Sequence, residues 1–140
     1  MYAAIRIRGS VELKDIKTTL DMLRLRRKMH CVLIKENDCM KGMLQKVKDY
    51  VTWGEIDDDV LLNLITKRGR KSANKRLDGK EAEEILKKAK EIQKIPEEID
   101  PVFRLSPPSK GFKKSIKQHY PNGELGYRGK EINELLKRMI

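Results

Sequence analysis

The sequence lacks most of the features that would mark an enzyme, a secreted protein or a membrane protein. Its two cysteines, Cys31 and Cys39, cannot build a disulfide framework. No further Cys/His pair stands beside them at metal-ligand spacing, so both read as ordinary reduced thiols, and no metal is expected. No apolar run approaches the ~20 residues of a membrane span. The opening residues Met1 to Arg6 hold no signal-peptide apolar region, so a cytoplasmic protein is the expectation. Tyr, Phe and Trp make up 5% of the chain, too few for a sheet that grips RNA mainly by stacking. Walker, dinucleotide-binding and GxSxG motifs are missing, and with them any expected cofactor or small-molecule substrate. There is no internal repeat.

What the chain has is positive charge. The 32 Lys and Arg exceed the 21 Asp and Glu by +11, which suits a polyanionic partner. By itself that is compatible with nucleic acid, an anionic membrane surface or acidic proteins. The excess is not spread evenly: residues 1–54 and 101–140 each carry a net +6, and residues 55–100 a net −1. A tail-like protein would concentrate it at one end, so the pattern predicts a folded protein with basic faces.

The periodicity predicts an α+β fold. Residues 2–8 alternate Ile5 and Ile7 with Arg6 and Arg8, as in a half-buried strand with both arginines on one face. Ile16, Leu20 and Leu23 form the stripe of a helix over 14–27. Residues 30–35 are a second strand. Asp38 would cap a helix over 39–50, and residues 51–56 form a third strand. The first 56 residues thus read β-α-β-α-β, a two-layer unit with a small, mostly antiparallel sheet. Residues 57–100 follow as a helical segment around a basic loop, 67–76. Asp57, Asp58 and Asp59 suit a helix N-terminus better than a metal, because contiguous Asp side chains point apart. A solvated helix with Glu ahead of Lys is expected over 79–93. Residues 101–140 are a basic C-terminal extension with a short strand at 101–105, a turn at Asn122-Gly123 and a terminal helix over 129–140.

Three clusters free of acidic residues could meet phosphates: 24–28, 67–76 and 110–117. Arginine grips phosphate bidentately and stacks on bases, so the first two weigh most. No helix-turn-helix, zinc-finger or basic-zipper spacing is present, and Gly- and Pro-containing basic loops suit an irregular folded RNA. Phe112 and Tyr120 could stack on bases. For the Gly126–Lys130 stretch, close RNA backbone contact and a turn both remain open. A Cys–His nucleophile pair at His30 and Cys31 is disfavoured, because adjacent strand residues face opposite sides. His119 has no evident acidic partner in the sequence. An RNA-modifying enzyme is therefore disfavoured, and a free regulatory or chaperone-like RNA-binding module is the main alternative to a structural RNA-binding protein.

The run TLDMLRLRRKMHCVLI (19–34), followed by MKGMLQKVKDYVTWGEI (40–56), resembles the large-subunit ribosomal protein family numbered thirty. LITKRGRKSANKRL (64–77) and the tail from Arg104 to Ile140 are similar to its longer archaeal form, whose eukaryotic relative is numbered seven. Shorter bacterial members would correspond to roughly residues 1–56. The resemblance implies a ferredoxin-like core and a non-catalytic place in the large subunit. It also implies contact with large-subunit rRNA, 5S rRNA nearby and neighbouring ribosomal proteins as partners. Carried over, the family's basic motifs fall on Arg24, Arg26, Arg27, Lys28 and His30, and on Lys41, Gly42 and Lys46. They fall also on Arg68, Gly69, Arg70 and Lys71, on Lys110, Gly111, Lys113, Lys114 and Lys117, and on Arg128 and Lys130. Charge and position add Arg6, Arg8, Lys67, Lys75, Arg76 and His119 to the expected rRNA contacts, together with Phe112 and Tyr120.

Overall fold

The computed structural model describes residues 1–71, 75–92, 96, 97 and 99–140. Residues 72–74 of the expected basic loop, and Gln93 at the end of an expected helix, lie outside the described residues. The chain begins with strand β1 (Tyr2–Arg6), helix α1 (Lys14–Met22), strand β2 (His30–Ile34), helix α2 (Asp38–Lys46) and strand β3 (Val51–Glu55). It continues with helices α3 (Asp58–Arg68) and α4 (Gly79–Ile92), then strands β4 (Val102–Arg104), β5 (Ser115–His119) and β6 (Gly123–Tyr127). A 3-10 turn over Gly129–Glu131 leads into helix α5 (Ile132–Met139).

The sheet order is β4-β2-β1-β3-β6-β5. The pairs β1–β2, β1–β3 and β2–β4 are antiparallel, while β3–β6 and β5–β6 are parallel. The expected β-α-β-α-β unit is present with its mostly antiparallel sheet. The C-terminal residues are less of an appendage than their composition suggests, because they supply three strands to the same sheet.

Both faces of that sheet are covered. Tyr2, Ala4, Val32, Ile34, Val51 and Trp53 meet Leu20 of α1 and Leu44 of α2 on one side. Ala3, Ile5, Cys31 and Phe103 meet α3, α4 and α5 on the other. The half-buried reading of β1 is therefore corrected: every residue of the strand is buried. Its alternation of Ile with Arg misleads because Arg6 is itself an interior residue. The solvated reading of α4 is corrected as well, since Ala82, Ile85 and Ala89 form a narrow buried stripe packed against the core.

Two boundaries also differ. Helix α1 stops at Met22, and Arg24 already has a left-handed backbone, with φ 63°. The 24–28 cluster thus stands on a turn rather than a helix end. The cap of α2 is Asn37, whose side chain accepts from Met40 N–H at 2.8 Å, and Asp38 sits inside the first turn. Strand β6, sequence GELGY, had no period to announce it.

Candidate nucleic-acid interface

Strand register sorts the charged residues between the two ends of the sheet. Tyr2 lies opposite Ile34 and Glu55, so the start of β1 and the ends of β2 and β3 share one end. Arg6 lies opposite Val51, and His30 pairs with Arg104, so the end of β1, the starts of β2 and β3 and the end of β4 share the other. The first end carries the carboxylates of Glu36 and Glu55, followed by Asp57 to Asp59. The second carries the turn with Arg24, Arg26, Arg27 and Lys28, all exposed, and the exposed Arg104.

Other candidates converge there from distant parts of the chain. Arg68, at the C-terminus of α3, donates to Ser106 Oγ at 2.7 Å, just beyond β4. Arg70 O accepts from Asp100 N–H at 2.8 Å, and Arg70 forms an isolated bridge with Arg76. Gly69 is buried, and a Cβ there would stand 2.3 Å from Ile65 O, so its role is tight closure of the helix end. Lys67, Lys75 and Arg76 are exposed, whereas Lys71 is tied to Glu81. From the tail, His119 Nε2 lies 2.8 Å from Asp49 Oδ1, beside the start of β3. That is the acidic partner that the linear sequence hid.

Around that tail, the Tyr120 ring meets two cations, its centroid 4.8 Å from Lys114 Nζ and 5.9 Å from Arg128 Cζ. Lys110 and Gly111 both have positive φ, and Gly111 O accepts from Arg138 at 2.8 Å. Lys113 reaches Glu134 at 3.4 Å, and Lys117 is exposed on edge strand β5. Phe112 is half-buried against the core and so is not a free stacking platform.

Not every candidate is available. Arg6 is 7% exposed and donates to the backbone oxygens of Leu25 (2.8 Å), Gly9 (2.8 Å) and Arg8 (3.0 Å). Burial lowers its pKa and Asp21 partly opposes this. Arg8, beyond the end of β1, lies over the Tyr50 ring at 5.4 Å. Arg128 is likewise interior. It donates to Thr52 Oγ1 at 2.8 Å and to Glu124 Oε2 at 2.7 Å, joining β6 to β3. Both arginines shape the surface from inside. Lys130 stands elsewhere: its carbonyl accepts from Asn133 Nδ2, which also donates to Glu55 O at the acidic end. The 126–130 stretch is the end of β6 followed by the start of the 3-10 turn, with Gly126 and Gly129 at φ of 83° and 58°. Lys41, Gly42 and Lys46 are exposed along α2, and nothing stands within 4 Å of a Cβ added at Gly42.

Composition alone missed Arg104 and Arg138. Arg104 has no basic run around it and Arg138 has only Lys137 beside it, although Arg104 is the register partner of His30. Two hollows open at Arg104. One, about 330 Å³, is lined by Arg24, Arg26, His30, Asp100, Val102 and Arg104. The other, about 180 Å³, is lined by Arg68, Arg70, Asp100, Val102 and Arg104. His30 has a pKa below its ordinary value because burial disfavours its charged form and Arg104 and Arg27 repel it. Its neighbour Cys31 faces the opposite core, where burial pushes the thiol up to about 12. That removes thiolate nucleophilicity at neutral pH.

The residues and their arrangement agree with comparisons to known proteins. The family model for ribosomal protein L30p/L7e matches residues 2–51. Three archaeal relatives extend the match over the whole chain, each named large ribosomal subunit protein uL30. The Methanococcus vannielii protein is 47% identical over 99% of both chains. The Methanosphaera stadtmanae protein is 45% identical over 100% of both. The Archaeoglobus fulgidus protein is 42% identical over 99% of both. Identity at this level over full length, together with the family model over residues 2–51, shows that the chain belongs to the L30p/L7e (uL30) family of large-subunit ribosomal proteins.

Proposed function

We propose that this protein is a structural, non-catalytic constituent of the large ribosomal subunit that binds and stabilises its rRNA through the basic end of the sheet. One observation carries the reading. Cations far apart in sequence, at 24–30, 68–70 and 104, gather at one end of the sheet, while Glu36, Glu55 and Asp57 to Asp59 stand at the other. Arginines standing together in this way neutralise phosphates that RNA folding crowds against one another. Lys41, Gly42 and Lys46 on α2, Lys67, Lys71, Lys75 and Arg76 beyond α3, and Lys110, Lys114 and Lys117 in the tail serve as flanking contacts.

The partners are then large-subunit rRNA, neighbouring subunit proteins and, close by, 5S rRNA, in cytoplasmic ribosomes. Sedimentation of lysate through a sucrose gradient tests the assignment. Co-migration with large subunits through a moderate salt wash is expected. A signal confined to the top of the gradient would overturn it and favour a free RNA-binding module. Charge reversal of Arg26 and Arg27 together should weaken incorporation without unfolding the protein, because both side chains are exposed. Crosslinking within purified subunits checks the proximity to 5S rRNA.

A further inference from the structure

We propose that the two hollows on either side of Arg104 form one continuous cradle for a stretch of RNA phosphodiester backbone, with Arg104 as its central residue. The inference rests on the ribosomal reading and specifies which atoms of the RNA this face takes and how.

The hollows are not separate sites. Asp100, Val102 and Arg104 line both. The first adds Arg24 and Arg26 from the turn after α1, and the second adds Arg68 and Arg70 from the end of α3. Five arginines therefore line a path with Asp100 as its one carboxylate among the described residues. That carboxylate is turned onto its own chain, where Oδ1 accepts from Val102 N–H at 3.0 Å. Among the described residues, no side-chain hydrogen bond or ion pair engages Arg24, Arg26 or Arg104. Arg68 and Arg70 are held by Ser106 Oγ and by the Lys67 and Gly69 carbonyls, which orients them without neutralising them. Several like charges in shared hollows repel one another and need an anion. One phosphate leaves most of that charge unbalanced, whereas a backbone with one charge per nucleotide does not. Each hollow far exceeds the ~30 Å³ share of a water molecule. The planar guanidinium fork suits the two free oxygens of a phosphodiester.

His30 gives the cradle a second property. Arg104 and Asp100 face it from β4 and its approach, Arg24, Arg26 and Arg27 from the turn, and Arg6 from β1. Filling the first hollow with phosphate replaces that net repulsion with attraction, so binding RNA draws a proton onto the imidazole. By linkage, affinity rises as pH falls through the histidine range.

The test measures binding of the full chain to large-subunit rRNA transcribed in vitro, across salt concentration and pH. Arg26→Gln, Arg104→Gln and Arg70→Gln should each shrink the salt slope by about one. His30→Gln should flatten a pH dependence that the parent protein shows between about pH 7.5 and about pH 5.5. If Arg26→Gln and Arg70→Gln shrink the slope but Arg104→Gln does not, the hollows are independent and the continuous cradle is overturned. If none of the three changes it while the parent still binds, RNA sits elsewhere and only the ribosomal reading stands. A His30→Gln variant that keeps the parent's pH dependence removes the proton coupling. Failure of the parent to bind rRNA would overturn the cradle and the reading beneath it together.

Discussion

Arg6 shows how an interior charge can serve a surface. Its guanidinium satisfies the Leu25, Gly9 and Arg8 carbonyls, and its own carbonyl accepts from Met29 N–H at 2.8 Å. The turn that presents Arg24 to Lys28 is thereby tied to β1 at both margins. Arg24 and Met29 hold left-handed φ of 63° and 64°, a conformation that non-glycine residues adopt only under such constraint. Arg6→Met should cost about 2–4 kcal/mol, from charge-assisted hydrogen bonds lost and carbonyls left unpaired. Urea denaturation reads that cost, and the variant's rRNA affinity should fall at concentrations of denaturant where it remains folded. A loss well below about 1 kcal/mol would show that other contacts hold the turn. The sequence made Arg6 look like its neighbour Arg8, because period-2 alternation reports which face a residue is on and not whether that face is covered. That face, shared with Tyr2 and Ala4, is covered by α1, α2 and the turn at Leu25, which the alternation in β1 does not report.

Among the elements, β3 was legible and its neighbour β6 was not. Residues 51–55 carry Val, Thr and Trp, and so declare a strand. Residues 123–127 contain two glycines and a glutamate, and their strand depends on partners: Thr52 Oγ1 donates to Gly126 O at 2.9 Å, and Glu124 meets Arg128 within the core. No local pattern predicts a buried ion pair four residues apart when both groups would ordinarily seek water. The candidate site divides in the same way. The arginine clusters were visible as runs, but Arg104 became visible only once β4 had paired with β2. Gly54 of β3 lets α5 approach the sheet: a Cβ there would lie 2.0 Å from Gly129 O and 3.0 Å from Ile132 Cβ. Gly54→Ala should therefore destabilise the fold by about 1–3 kcal/mol through overpacking. Thermal unfolding tests it, and an unchanged midpoint would mean that the approach of the 129–132 turn is not set by this glycine.

At the scale of the whole molecule, the net charge of +11 understates the asymmetry. Register places the basic turn, Arg104 and the end of α3 at one end of the sheet, and Glu36, Glu55 and the Asp57 to Asp59 run at the other. A uniform cationic surface would attract RNA in any orientation, whereas this distribution orients the protein before contact. Two double variants that remove the same charge should therefore behave differently. Arg26→Gln with Arg27→Gln acts at the basic end, and Lys35→Gln with Lys130→Gln acts beside the acidic end. The first pair should shrink the salt slope of rRNA binding by roughly one to two. The second should leave the slope unchanged, although its net charge is identical, because counterions are released only where phosphates are met. Equal effects from the two pairs would mean that total charge governs binding. The division of the sheet into a gripping end and an acidic end would then have no part in recognition.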